Sequence, residues 1–194
     1  MRSFISQGRR IDIIILALFI ATLSLLASCQ SDKPSMGPRF HALLSQKAYQ
    51  DIRLVEFQAA GAQKISVVLA ITPEEMTQGL SNVRDNEMAD DQGMLFFYLE
   101  DGARRFWMPD TYINLDIFFL SKDFVVLDVA RDVPAHAGRN EPPAIAVTQT
   151  VNCRHVLELK SSSKLAKEIK QGDKLKWTSS PGPDETESKI RLSR

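Results

Sequence analysis

Residues 93–120 read GMLFFYLEDGARRFWMPDTYINLDIFFL, two unbroken apolar runs and an aromatic-Met run around a polar insert, Asp110-Thr111-Tyr112-Ile113-Asn114, that ends at Asp116. Runs such as MLFFYL and DIFFL lack the alternation of a strand wetted on one face, so a sheet built from them must be covered on both. Polar side chains set among such runs must be satisfied by the fold or offered to a ligand.

The N-terminus is of a different kind. Arg2, Arg9 and Arg10 precede the apolar run IIILALFIATLSLL at 13–26, and Leu26-Ala27-Ser28-Cys29 follows. A positive start, a short apolar stretch and small residues before a cut are the parts of a secretory signal, and the run is short for a spanning helix. Its end resembles a bacterial lipobox. That resemblance implies a lipoprotein signal peptide at 1–28, lipid attachment at Cys29, and anchoring in the cell envelope at the periplasmic face of the outer membrane, with Gln30 as the sorting residue. Several acyl chains would make the anchor stable. With Cys29 acylated, Cys153 has no partner for an intramolecular disulfide. Cys153 then reads as a small buried hydrophobe, or as a reactive thiol should Arg154 and His155 lower its pKa.

Acidic and basic residues balance at 24 each, and no basic stripe with interleaved aromatics points to nucleic acid. Residues 29–50 divide into a Pro- and Gly-containing tether and a short helix over 40–49. A β domain is expected over 51–178. Strand signals fall at 52–57, 65–71, 94–99, 105–108, 117–120, 124–130, 144–148, 155–159 and 173–177. Thr72-Pro73-Glu74-Glu75 carries the signals of a helix start, and 163–170 reads as a second helix. Residues 131–143 read as a long Pro-containing loop, and 179–194 as a polar, disordered tail. The expected fold is mainly β with short helices, a compact β-barrel-like single domain.

Gly79-Leu80, Gly93-Met94-Leu95-Phe96-Phe97, Phe106-Trp107-Met108-Pro109-Asp110-Thr111, Leu115-Asp116-Ile117-Phe118-Phe119, Val156-Leu157-Glu158-Leu159 and Gly172-Asp173 occur in an order that resembles the domain-of-unknown-function 192 family. The likeness covers about 65–177. It implies a compact barrel-like fold, often exported, without a settled activity. Asp110 stands where the family usually has Asn, and Arg84 lies later than the family's usual arginine.

Several residues have two readings. Trp107 and Met108 either fill irregular core space or wall a pocket in which the indole stacks on a ligand. Asp110 and Thr111, after Pro109, make a turn or a polar site. Asp116, at the head of an apolar strand, needs a cation, with Arg84, Arg104 and Arg105 as candidates. Glu158 interrupts an apolar run in the same way. If Asp116 and Glu158 converged they could divide acid and base roles, as in a hydrolase of an envelope polymer. The leading expectation is a lipid-anchored periplasmic binding or accessory module whose ligand pocket comprises Arg84, Trp107, Asp110, Thr111 and Asp116. Its ligand would be a small molecule or an envelope polymer. The alternatives are that hydrolase and a structural envelope protein. No cofactor motif and no zinc spacing is present; His41, His136 and His155 are isolated.

Overall fold

A computed structural model describes residues 54–59 and 63–194. The expected signal peptide, the expected lipid attachment at Cys29, the expected tether and the expected helix at 40–49 lie outside the described residues. Nine strands and three helices follow in order: β1 (Leu54–Gln58), β2 (Lys64–Ala70), α1 (Pro73–Gln78), β3 (Gln92–Phe96), β4 (Gly102–Arg104), β5 (Leu115–Leu120), β6 (Val126–Val133), β7 (Val151–Cys153), β8 (His155–Lys160), α2 (Lys164–Glu168), β9 (Lys176–Trp177) and α3 (Pro183–Leu192). Seven strands form one curled sheet in the order β6-β5-β8-β3-β2-β1-β9, with β2 and β3 parallel and the other neighbours antiparallel. β4 and β7 form a separate ribbon. The fold is mainly β, a half-barrel. Its gap is strapped where Val126 N donates to Asp173 O and Leu175 N to Phe124 O, just before β9 joins β1.

Both faces of the sheet are buried, as the unbroken apolar runs require. On one face Phe57, Leu69, Leu95, Phe118, Leu157 and Leu159 pack with Leu165 of α2, Ile169 just after it and Ile190 of α3. On the other, Val68, Met94, Phe96, Ile117, Phe119 and Val156 pack under Leu80, Val83, Met88 and Met108. Strand periodicity therefore assigns each residue of β8 to one of two cores: His155, Leu157 and Leu159 to the first, Val156 and Glu158 to the second.

The polar loop over 81–91 tucks Val83 and Met88 fully inward. Lys160 pins it from below, its Nζ donating to Asp85 O and Met88 O and lying 3.0 Å from the Asp85 carboxylate. α1 begins with the expected Thr72 cap, completed by Glu75, whose Oε2 accepts from Thr72 N and Ile71 N.

Gly93 sits where β3 crosses β8. A Cβ there would lie 2.5 Å from the Glu158 carbonyl oxygen and 2.4 Å from Leu159 Cδ2. Backbone cannot step aside as a side chain can, so Gly93→Ala should destabilise by about 2–3 kcal/mol. A urea midpoint unchanged from wild type would contradict this.

Several sequence expectations are corrected. β6 runs on to Val133, so Arg131 lies on a strand and the loop begins only at Pro134. The ribbon strand ends at Arg104, whereas 105–108 and 144–148 meet through an isolated Trp107–Val147 bridge and the bonds Met108 N to Ala146 O and Thr148 N to Phe106 O. Pro109 has no N–H with which to continue that ladder. The tail is not disordered over its length. Pro183 starts α3, acids occupy its first turn and bases its last, and Ile190, fully buried, anchors it to the core. Two aliphatic residues in ten, Ile190 and Leu192, were too weak a periodic signal to read, although Pro-Asp-Glu is a legitimate helix start.

Candidate functional site

Asp116 and Glu158 do not converge. On paired strands β5 and β8, Asp116 stands opposite Leu159 and Glu158 opposite Ile117, so the two carboxyl groups point to opposite faces of the sheet. Asp116 is 2% exposed, and its partner is none of the arginines expected. Arg131 Nη1 lies 2.5 Å from Asp116 Oδ2, and Asp132 N donates to Oδ1 at 2.8 Å. The same guanidinium donates to the carbonyls of Ala166 and Ile169 at the end of α2. Asp116 is therefore a structural ion pair joining β5, β6 and α2.

Most of the polar insert is likewise consumed by the fold. Asp110, in the left-handed region with φ 54°, pairs with Arg139 at 2.6 Å. Thr111 is buried, donates to Pro109 O, and exchanges backbone bonds with His136. His136 in turn sets its ring nitrogens against Gly138 O and Pro143 O, folding the loop after β6 onto the insert. Asn114 receives Ala135 N and donates to Asp132. Arg84 lies over the Tyr112 ring, 4.5 Å from its centroid. Of the five pocket residues expected, only Trp107 and Thr111 reach a common cavity.

That cavity, about 370 Å³, lies over the second core, between α1 and the segment 103–109. Glu158 forms part of its floor. The carboxyl is 4% exposed, its Oε2 has no hydrogen-bond partner, and burial pushes its pKa from 4.5 up to about 8. Tyr98 and Arg104 also line the cavity, the guanidinium lying 3.8 Å from the Tyr98 ring centroid and donating to Glu100 O, with Nε buried and unpartnered. Burial and the nearby Glu158 carboxyl raise the Tyr98 pKa against the opposing pull of Arg104. Ser81 and Thr111, also in the cavity lining, both donate to Pro109 O. Trp107, 56% exposed, stands at the rim. A second depression, bounded by Arg139, Asn140, Glu141 and Val147, shares Trp107 with the first.

Sequence reasoning thus found Trp107, Thr111 and Glu158 but placed Glu158 with the wrong partner and missed Tyr98, Ser81 and the role of Arg104. Tyr98 ends an apolar run and looks like core in one dimension. Cys153 is buried and its thiol pushed up to about 11 by desolvation, so it packs as a hydrophobe. Among the described residues, no group of three or more His, Cys, Asp or Glu is placed to hold a metal, and no helix is long and apolar enough to cross a membrane.

The fold is similar to the crystal structure of a protein from Sinorhizobium meliloti 1021 named as a candidate transcription regulator, with 29% identity and a TM-score of 0.50, covering 64% of this chain and 92% of that one. A protein of unknown function from Novosphingobium aromaticivorans DSM 12444 is similar at 28% identity and a TM-score of 0.49, over 64% and 84% of the two chains. No curated protein is a significant match. The model of the domain-of-unknown-function 192 family (DUF192), described as "Uncharacterized ACR", matches residues 55–177, which span the sheet from β1 to β9 and every residue of the Glu158 pocket. The chain belongs to that family.

Proposed function

We propose that the protein is a lipid-anchored envelope binding module whose site is the pocket over Glu158, and that its ligand is an oxygen-rich molecule with a flat apolar face, a saccharide of one or more units. The observation that carries this reading is a buried carboxyl, its Oε2 without a hydrogen-bond partner, at the floor of a cavity with an exposed indole at its rim. Below pH 8 Glu158 is a hydrogen-bond donor, and the Arg104 guanidinium supplies further donors. Hydroxyl and ring oxygens answer such donors, and the Trp107 face suits the C–H side of a pyranose. A ligand longer than one ring would pass over Trp107 into the depression beside Arg139. The anchor rests on the lipobox-like Leu26-Ala27-Ser28-Cys29 and the apolar run before it.

The test is a melting and calorimetric survey of envelope glycan fragments against the detergent-solubilised full chain. A true ligand at a hundredfold excess over its Kd stabilises by about 2.7 kcal/mol. Trp107→Ala is expected to weaken it at least about tenfold, from the loss of about 1–2 kcal/mol of stacking. A panel in which no glycan shifts the melting temperature, or a Trp107→Ala variant that binds as well as wild type, would refute the reading.

A further inference from the structure

On the opposite face of the sheet, β9, α3 and the turn between β5 and β6 enclose a second cavity of about 480 Å³. Its walls are Phe97, Phe124, Leu175, Trp177 and Pro183, with His155 set among them. The wall is preorganised. Trp177 Nε1 donates to Ser179 O and Pro181 O, and its ring meets Phe57 edge-on at 5.3 Å and Phe124 tilted at 5.6 Å.

The imidazole of His155 lies between two phenyl rings, 4.5 Å from Phe97 and 5.0 Å from Phe124, so both of its faces are taken and only its edge remains. The residue is 2% exposed, and Nδ1 has no hydrogen-bond partner. Burial lowers its pKa to about 3, which keeps the ring neutral, with one donor and one acceptor nitrogen. If packing were the only task, a third phenyl ring would fill the stack without burying an unsatisfied nitrogen. The lining carries Lys122, Lys174 and Lys176 beside Asp123, Asp184 and Glu187, a balance that selects no sign of charge.

We propose that this cavity is a second ligand site, taking a small, uncharged planar aromatic molecule that bears one hydroxyl or ring N–H, with His155 as the residue that reads that group. The ring slides in beside Trp177, Phe97 and Phe124, and its polar group pairs with the imidazole edge. The site is independent of the Glu158 pocket, since β8 sends His155 and Glu158 to different faces.

2-Naphthol is the probe and naphthalene the control that lacks the hydroxyl. The chain has two tryptophans, so in a Trp107→Phe background the emission reports Trp177 alone. Saturable quenching by energy transfer to 2-naphthol is expected, with naphthalene binding at least tenfold more weakly. His155→Phe should weaken 2-naphthol at least tenfold and leave naphthalene unchanged. Equal binding of the two probes, unsaturable quenching, or 2-naphthol binding untouched by His155→Phe would overturn the proposal. Should that variant fail to fold, the His155 ring ¹⁵N resonances of the unsubstituted protein decide. They should move with 2-naphthol and not with naphthalene, and resonances that stay still would overturn it equally.

Discussion

Arg131→Ala is expected to cost about 3–5 kcal/mol of stability, enough to unfold much of the population of an ordinary domain near its melting temperature. The loss is not that of a surface ion pair. Removing the guanidinium leaves the Asp116 carboxylate, 3% exposed, with only the Asp132 N–H in attendance. It also strips donors from Ala166 O and Ile169 O at the end of α2. A buried charge without its partner is the expensive state, more so than a missing attraction. Asp116→Asn in the Arg131→Ala background should therefore recover part of the loss, because a neutral amide is cheaper to bury. Urea denaturation of the two single variants and the double variant measures this. A cost below about 1 kcal/mol for Arg131→Ala would mean that water, not the arginine, satisfies Asp116.

The second large effect is on the pH dependence of stability. Glu158, raised to about 8, keeps its proton in the folded state from pH 4.5 to 8, where the unfolded chain has released it. Stability from this group is complete below pH 4.5 and is lost as pH rises through 8. His155, lowered to about 3, behaves in the opposite sense. The unfolded chain takes up a proton below pH 6.5 and the folded one does not, so stability is complete above 6.5 and falls as pH drops toward 3. Each shift corresponds to an upper bound of about 5 kcal/mol.

The two slopes oppose between pH 4.5 and 6.5, giving a plateau, with a decline above it governed by Glu158 and a decline below it governed by His155. The exposed carboxylates Glu100, Asp101 and Asp132, whose pKa values are lowered by Arg191, Arg154 and Asn114 respectively, steepen the acid side. Glu158→Gln should flatten the alkaline limb and stabilise the protein at pH 8.5 by several kcal/mol, while leaving the acid limb in place. Urea midpoints from pH 3 to 9 provide the measurement. An alkaline limb identical in wild type and Glu158→Gln would show that the carboxyl is hydrated in the folded protein.

The sheet was legible because its chemistry is local. Unbroken runs such as DIFFL demand cover on both sides wherever they pair, and the Thr72 cap announces α1 from four consecutive residues. The pairing of the polar groups was not legible. Arg131 was hidden by its neighbours Asp132 and Pro134, which read as loop, and only the β5–β6 register brings it to Asp116. The same limit separated Glu158 from Asp116 and joined it to Tyr98 and Arg104, residues 54 to 60 positions earlier in the chain.

The order of residues by itself determined that this chain makes a doubly covered, mainly β, barrel-like domain of the DUF192 family, since apolar periodicity and cap chemistry act between near neighbours, and the structure shows that the sheet curls into a half-barrel. Which hydrophilic side chains are spent on the fold and which are left over was decided by tertiary structure alone. Strand register sends alternate residues to opposite faces, so Asp116 meets Arg131 on one face while Glu158 lies under the cavity on the other.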